Sequence, residues 1–184
     1  MGLILTTVHF STPVQDYIPQ VEDRMRDQSE GAHPDLKAAL EHLLEAGGKR
    51  VRPTITLLVG GMFNADLERS ITLAAAIELL HTATLVHDDM IDGALLRRGM
   101  PTLNSSWTPG ATILTGDFIF ARAAQLAAAT GSVEVMAQFA RTLSIIVNGE
   151  ITQMFDSKGV ASRENYLARI YAKTASLFEL AAMA

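Results

Sequence analysis

The chain has 184 residues, of which 48% are apolar and 19% charged, enough apolar residues for a buried core. It contains no cysteine, which excludes a disulfide framework and any zinc site built on thiolates. The formal net charge of −5 argues against a nucleic-acid-binding protein, whose surface is normally basic. The length is that of one ordinary domain, so we expect residues 1–184 to form a single domain.

Helical periodicity runs through most of the chain, and no alternating segment with hairpin turn chemistry occurs, so we predict no strand. The fold class is therefore all-α. A loop rich in glycine and proline lies near residues 99–110. The predicted helices are residues 13–28, 34–46, 53–62, 66–92, 111–129, 133–156 and 163 to the end.

The most apolar stretch, residues 71–86, is interrupted by Glu78 and His81 and is too short for a membrane span. No basic region precedes the short apolar start, so we predict neither a signal peptide nor a transmembrane segment, and we expect a cytoplasmic protein. The last predicted helix stops at Ala184 without a capping residue or a polar tail. We therefore expect a helical fold that is truncated before its C-terminal helices.

Three aspartates, Asp88, Asp89 and Asp92, end the long predicted helix 66–92. His81, Asp88 and Asp92 lie within about 20° of one line on the helix surface, so their side chains share one face. Carboxylates this close repel unless a cation lies between them. Mg²⁺ suits the arrangement, because it takes one or two carboxylates and completes its shell with waters and phosphate oxygens. The alternative is a solvated acidic helix end, which the apolar helix and its negative C-terminal dipole disfavour.

Two histidines near the aspartates leave further alternatives open. His81 is either a ligand-contacting residue or a satisfied core histidine. His87 precedes Asp88, as in metal phosphohydrolases that use a His-Asp pair. That class needs more histidine and aspartate ligands. The other histidines, His9, His33 and His42, all lie upstream among residues that do not form a suitable ligand set, so we disfavour this class.

Two basic segments flank the aspartates. Residues 47–53 place two glycines before Lys49, Arg50 and Arg52, and residues 97–102 begin with two arginines and a glycine. Glycine lets the backbone approach a ligand closely, arginine forks two donors onto phosphate, and lysine adds a point charge. The pattern predicts a site for an anion such as phosphate, although basic residues are also favourable at helix C-termini for purely structural reasons.

Taken in order, Gly-Gly-Lys-Arg-Val-Arg-Pro (47–53), His-Thr-Ala-Thr-Leu-Val-His-Asp-Asp-Met-Ile-Asp (81–92) and Arg-Arg-Gly-Met-Pro-Thr (97–102) closely resemble the trans-isoprenyl diphosphate synthases, also called polyprenyl synthetases. The resemblance extends from about Leu36 onward. Smaller similarities are Thr115-Gly116-Asp117, the segment Gly149-Glu150 to Gln153, and Lys173-Thr174-Ala175. The resemblance implies an isoprenoid-synthase-type bundle of long helices around a deep apolar cavity, generally as a homodimer.

The resemblance also implies roles for individual residues. The diphosphate of isopentenyl diphosphate would bind to Lys49, Arg52, His81 and Arg98. Mg²⁺ bridging to the allylic diphosphate would be held by Asp88 and Asp92, with Asp89 supporting as the third catalytic aspartate. The same allylic diphosphate would be contacted by Arg97, Lys173 and Thr174. The allylic carbon–oxygen bond would ionise, the isopentenyl double bond would attack the carbocation, and a proton would be lost.

In this family the aspartate helix also forms one wall of the chain-elongation cavity. The wall residues implied here are Ile77, Leu80, Ala83 and Thr84. Thr84, Leu80 and Ile77 lie one, two and three turns below Asp88, each turn being about 5.4 Å. Because Ala83 and Thr84 are small where short-chain members often carry aromatic residues, we expect a longer product, with Leu80 or Ile77 as the cavity floor.

The chain departs from the family pattern in its C-terminal half. A second aspartate-rich motif is missing, since the only aspartates after Asp92 are Asp117 and Asp156. We therefore expect a truncated polyprenyl synthetase that is weakly active or inactive as it stands. The alternative is a non-catalytic subunit or interaction module, which we disfavour because the basic segments and the first aspartate motif are intact. Apolar faces left uncovered by missing helices would favour a homodimer or a larger oligomer.

Overall fold

The computed structural model describes residues 10–156 and 162–184. Within these ranges the chain is built of α-helices, which confirms the all-α class. The helices are α1 (Ile18–Arg26), α2 (Pro34–Glu45), α3 (Val51–Met62), α4 (Leu67–Ile91), α5 (Leu103–Ser106), α6 (Pro109–Ala129), α7 (Val133–Asp156), α8 (Arg163–Ile170) and α9 (Ser176–Met183). The 3₁₀ turns Thr12–Tyr17 and Asp27–Ser29 flank α1, and a π-helical turn (Tyr171–Ala175) joins α8 to α9.

Helix α4 is the central helix of the bundle, packed against α1, α3, α6 and α9. Its N-terminus is capped by Asp66, whose carboxylate accepts a hydrogen bond of 2.9 Å from the backbone N–H of Arg69. Every residue from Ser70 to Leu80 is buried, so this half of the helix is enclosed on all sides. By length and composition α4 could also cross a membrane, but 78% of its most apolar window is buried inside the fold. It packs as a core helix.

A short antiparallel hairpin, β1 (Leu96–Arg97) and β2 (Met100–Pro101), follows α4, so the prediction that the chain has no strand is wrong here. The turn is made by Arg98 (φ 52°) and Gly99 (φ 82°), both in the left-handed region that a tight hairpin turn requires. Two-residue strands are too short for an alternating pattern, which is why the sequence did not predict them. The hairpin fixes the backbone on which Arg97 and Arg98 are carried.

Several helix boundaries also differ from prediction. The first predicted helix is a 3₁₀ turn followed by α1, because Pro19 has no N–H to continue a helix from the preceding turn. Helix α3 begins at Val51, so Pro53 lies in the first turn, where a backbone donor is not needed. The last predicted helix is interrupted by the π-helical turn, which separates α8 from α9.

Candidate functional site

A cavity of about 400 Å³ opens beside the middle of α4, between the loop before α3, the hairpin and α9. Its lining includes the four residues for which the sequence predicted binding to isopentenyl diphosphate. The charged and polar lining residues are Lys49, Arg50, Arg52, Glu78, His81 and Arg98. The structure thus brings together cations from two separate segments of the chain and a histidine from α4, and we call this space the cation cavity.

Arg52 is the most constrained cation of the cavity. Its guanidinium lies over the ring of Phe178, 4.6 Å from the ring centroid, which fixes the side chain from α9. Burial lowers the pKa of Arg52, and the charge of Arg98 acts in the same direction. Its buried Nε has no hydrogen-bond partner among the described residues. Because an unpaired buried donor is costly, an anion in the cavity would be stabilised at this position.

His81 lies on α4 among these arginines. Burial, together with the positive charges of Arg52 and Arg98, lowers the pKa of the imidazole to about 3. The ring is therefore neutral near pH 7 and can donate a hydrogen bond from only one of its nitrogens. A diphosphate at this position would be recognised by a neutral donor from His81 and by charge from the arginines.

Arg50 belongs to the basic segment and is held by two acidic side chains. Its Nε donates to Glu22 Oε1 at 2.8 Å and its Nη1 to Glu78 Oε1 at 3.1 Å. The backbone of Arg50 is left-handed (φ 46°), which turns the chain into α3. The ion pairs tie α1 and α4 to the start of α3, so Arg50 stabilises the wall of the cation cavity. The sequence analysis assigned no role to Glu22 or Glu78, although Glu78 stood out as a charge within the apolar stretch of α4.

Arg98 connects the hairpin to the glycine pair before α3. Its Nη1 donates a hydrogen bond to the carbonyl oxygen of Gly47. A Cβ added to Gly48 would lie 3.0 Å from the same Nη1, so glycine permits this close approach. A second connection runs from a ring nitrogen of His42 to the carbonyl oxygen of Pro101, at 2.8 Å. The two predicted basic segments are therefore in direct contact.

Asp88, at the last turn of α4, contacts a lysine far along the chain. Lys173 Nζ lies 3.3 Å from Asp88 Oδ2 and 2.9 Å from Glu150 Oε1. Burial raises the pKa of Asp88, while the ammonium of Lys173 opposes that shift. From the sequence, Asp88 and Lys173 are separate candidate site residues, while Glu150 belongs only to a segment that is similar to the family and has no predicted role. Thr174, beside Lys173, is exposed.

Asp89 points away from the other two aspartates and is buried. Both of its carboxylate oxygens accept hydrogen bonds from Arg97 Nε at 2.9 Å, and Arg97 Nη2 lies 2.7 Å from Oδ1. The hydrogen bonds that Arg97 donates to the Asp89 carboxylate raise the pKa of Arg97. Asp89 thus fixes the side chain of Arg97, the arginine predicted to contact the allylic diphosphate.

The carboxylates of Asp88 and Asp92 are the candidate metal ligands. Among the described residues, no three His, Cys, Asp or Glu side chains are grouped as a preformed metal site. Asp88 and Asp92 lie one turn apart, and the ammonium of Lys173 already lies against Asp88, so this position accepts a cation. Two hard oxygen donors without a closed shell fit Mg²⁺, which keeps waters and takes up phosphate oxygens.

His87 does not join the aspartates. Its Nε2 lies 3.2 Å from the carbonyl oxygen of Ile113 and 3.5 Å from Asp117 Oδ1, both on α6. A Cβ at Gly116 would lie 2.2 Å from that nitrogen, so glycine makes room for the imidazole. His87 packs α4 onto α6, and the His-Asp pair on which the metal phosphohydrolase interpretation depended is not formed with Asp88.

The four predicted wall residues differ in accessibility. Ile77, Leu80 and Ala83 are 0% exposed, so they pack against neighbouring helices. Thr84 is only partly buried, and its hydroxyl donates to the carbonyl oxygen of His81 at 2.7 Å. Thr84 is therefore the wall position that a bound molecule could contact without rearrangement of the core.

The chain belongs to the polyprenyl synthetase family, whose model matches residues 33–184. It is 40% identical to a prenyl transferase of Synechocystis over 187 aligned positions, covering 98% of this chain and 57% of the relative. It is 39% identical to the octaprenyl diphosphate synthase of Escherichia coli K12, covering 77% of this chain and 44% of that protein. The chain thus spans about half the length of these curated relatives.

Solved structures show the same fold. The decaprenyl diphosphate synthase of Rhodobacter capsulatus superposes with a TM-score of 0.89 at 35% identity, covering 94% of this chain and 54% of that one. A polyprenyl synthase of Caulobacter crescentus, complexed with calcium and isoprenyl diphosphate, also superposes with a TM-score of 0.89. It is 37% identical, and the match covers 94% of this chain and 53% of that one. The described helices therefore correspond to about half of a larger helical bundle.

Proposed function

We propose that the chain carries the diphosphate-binding half of an isoprenyl diphosphate synthase, which condenses isopentenyl diphosphate with an allylic diphosphate. The observation that carries the proposal is the convergence of Lys49, Arg52, His81 and Arg98 on one cavity beside α4. The same helix ends in the aspartates, so the sites for two anionic substrates are attached to one rigid element.

In this proposal isopentenyl diphosphate occupies the cation cavity. Arg52, Arg98 and Lys49 line this cavity and would neutralise the phosphate charge. His81, with its pKa lowered to about 3, would add a hydrogen bond as a neutral donor. Burial of the charged groups makes each contact stronger than it would be in water.

The allylic diphosphate would lie at the C-terminal end of α4. Asp88 and Asp92 would hold Mg²⁺, and Arg97, fixed by Asp89, would reach the phosphate oxygens together with Lys173 and Thr174. When bound, Mg²⁺ would neutralise the charge that develops on the leaving diphosphate as the carbon–oxygen bond ionises. The apolar residues of the bundle would exclude water from the carbocation until the isopentenyl double bond attacks it.

The chain spans about half of its relatives, so we propose that it is weakly active or inactive by itself. A non-catalytic subunit is the second candidate. In its favour, the chain is 39% identical to a protein named heptaprenyl diphosphate synthase component 2, from Geobacillus stearothermophilus. That name describes one component of an assembly with more than one part. We further propose a cytoplasmic location and a homodimer or larger oligomer.

Isothermal titration of the 184-residue chain with isopentenyl diphosphate tests the proposal. We expect binding that Arg52→Met weakens at least tenfold, because the buried guanidinium supplies a charge-assisted contact. Lys37→Met, which removes an exposed cation of α2, serves as the control and should leave affinity unchanged. Absence of binding by the unaltered chain would contradict the proposal.

A turnover assay with isopentenyl and allylic diphosphates plus Mg²⁺ tests the two candidates. A low rate of prenyl transfer by this chain supports the truncated synthase. No transfer, together with intact binding of isopentenyl diphosphate, is the result expected of the non-catalytic subunit and equally of a truncated synthase that is inactive by itself. A rate typical of enzymes, about 1 s⁻¹ or more, would show that the expectation of weak activity is wrong.

A further inference from the structure

The ammonium of Lys173 lies between two carboxylates from different helices, Asp88 on α4 and Glu150 on α7. The distances from Nζ are 3.3 Å to Asp88 Oδ2 and 2.9 Å to Glu150 Oε1. The Asp88 and Glu150 side chains are each 17% exposed, and that of Lys173 is 42% exposed. The two acids are thus largely withdrawn from water, and within the described residues the ammonium is the cation that contacts both.

A close helix approach creates this cluster. Gly149 precedes Glu150, and a Cβ built on Gly149 would lie 2.4 Å from the Cβ of Ala172, which precedes Lys173. Ala172 is buried at this contact. The contact lies in the π-helical turn Tyr171–Ala175, an irregularity that often occurs at functional sites. Glycine on one side and the irregular turn on the other therefore place the lysine against both acids.

We infer that Lys173 is the resident cation of the Asp88 site, and that Glu150 is the positioning residue that anchors it there. The ammonium occupies the side of Asp88 on which a divalent metal would bind, and the two cations exclude each other. This inference rests on the proposed function, in which Asp88 is a metal ligand. Arrival of metal and diphosphate displaces Lys173 from Asp88, and Glu150 keeps the freed ammonium within reach of the phosphate oxygens.

The physical basis is competition between cations for one carboxylate. An ammonium and a divalent ion on the same carboxylate repel each other at short distance, so the metal must first displace the lysine. The ion pairs with Lys173 oppose that displacement. Since partly exposed ion pairs contribute little each, the expected effect is about fivefold in metal affinity.

Binding of Mn²⁺ to the 184-residue chain, followed by electron paramagnetic resonance without diphosphate, tests the competition. We expect Lys173→Gln to tighten Mn²⁺ binding about fivefold, since the competing ammonium is removed. Lys37→Gln makes the same charge change on the exposed face of α2 and should leave the affinity within about twofold. An unchanged or weaker affinity in Lys173→Gln overturns the inference, as does absence of Mn²⁺ binding in both chains.

A double-mutant cycle tests the role of Glu150. In a Glu150→Gln background, Lys173→Gln should improve Mn²⁺ affinity less than about twofold, because the ammonium is no longer anchored. Glu134→Gln, on the exposed first turn of α7, is the matched control and should preserve the full gain. If the gain in Mn²⁺ affinity from Lys173→Gln is preserved in the Glu150→Gln background, Glu150 is not the anchor and the inference fails. The inference also fails if Glu150→Gln weakens Mn²⁺ binding equally in chains with and without Lys173.

These measurements use neither isoprenyl substrate nor turnover, so they can fail while the proposed function holds. Binding of isopentenyl diphosphate at the cation cavity depends on other side chains and is measured separately. Circular dichroism of each variant shows whether its helices are intact. A variant with altered helix content is replaced by Lys173→Met or Glu150→Ala, for which the expected shifts in Mn²⁺ affinity have the same sign.

Discussion

The imidazole of His81 is held neutral by burial and by neighbouring arginines, with its pKa lowered from 6.5 to about 3. Between these values the unfolded chain binds more protons than the folded one, so the free energy of unfolding falls as pH falls. From pH 6.5 to pH 5 this contribution is about 1.5 kcal/mol. The His81→Gln variant lacks this contribution. Over the same pH interval, we expect its free energy of unfolding to fall by about 1.5 kcal/mol less than that of the unaltered chain, as measured by urea denaturation without phosphate. Equal pH dependence of the two chains would contradict the lowered pKa.

Arg50 joins two acids at the wall of the cation cavity, and its side chain is 10% exposed. Arg50→Met would leave the buried Glu78 without its cation and Glu22 with only the longer contact to Arg26, which we expect to lower the free energy of unfolding by about 3 kcal/mol. Arg26→Met breaks the more exposed pairs with Asp23, at 3.0 Å, and with Glu22, at 3.9 Å, and should cost about 0.5 kcal/mol or less. Urea denaturation measures both, and similar losses would show that burial of the Arg50 pairs has no special effect.

Thr84 is the wall position on α4 with accessible surface. We expect Thr84→Phe to weaken binding of long-tailed allylic diphosphates relative to short-tailed ones, because the ring would fill space beside the tail. Any product formed should also be shorter. Thr84→Val keeps the size of the side chain and should preserve the preference. Competition binding with two tail lengths measures the effect, and an unchanged preference in Thr84→Phe would remove Thr84 from the wall.

At the scale of elements, the contact between α7 and the π-helical turn depends on Gly149. A Cβ there would lie 2.4 Å from Ala172 Cβ, so we expect Gly149→Ala to lower the free energy of unfolding by about 1–3 kcal/mol. Gly61→Ala, in α3, meets nothing within 4 Å and should instead stabilise the helix by up to about 1 kcal/mol. Thermal unfolding followed by circular dichroism distinguishes the two signs. Stabilisation by Gly149→Ala would contradict the close packing.

Elements with strong local signals were predicted well from the sequence. Helix α2 was expected over residues 34–46 and is found at Pro34–Glu45, while α7 has the expected bounds of Val133–Asp156. The hairpin at residues 96–101 and the π-helical turn were missed. Both depend on few residues and on tertiary contacts, such as the packing of Ala172 against Gly149, which leave no periodic pattern in the sequence.

In the candidate site, too, some features were predicted from the sequence and others were not. The convergence of Lys49, Arg52, His81 and Arg98 followed from motif order and the family resemblance, and the structure places all four on one cavity. Their binding roles stay predictions. Glu150 could not be assigned a role from the sequence, since its partner Lys173 lies 23 residues away and reaches it only through helix packing. Long-range ion pairs carry no local signal.

At the scale of the whole molecule, α6 and α7 present large apolar side chains to solvent. Leu114 is 67% exposed and Phe155 75%, and Val147 and Ile151 are also exposed. Because contiguous apolar surface favours association, we expect a dimer or a larger oligomer in solution. Light scattering measures the mass, and replacing Ile151 and Phe155 together by serine should lower it. A monodisperse monomer for the unaltered chain would contradict this expectation.

Helix α4 carries both proposed anion sites, His81 at one and Asp88 at the other. The seven-residue interval fixes their separation along the axis at about 10 Å, with little difference in angle. The geometry of the α-helix therefore fixes the distance between the two proposed sites. Changes in the surrounding loops leave this spacing unaltered. Deleting a single residue between the two positions would rotate the aspartates by about 100° around the helix axis, so that they would no longer share a face with His81.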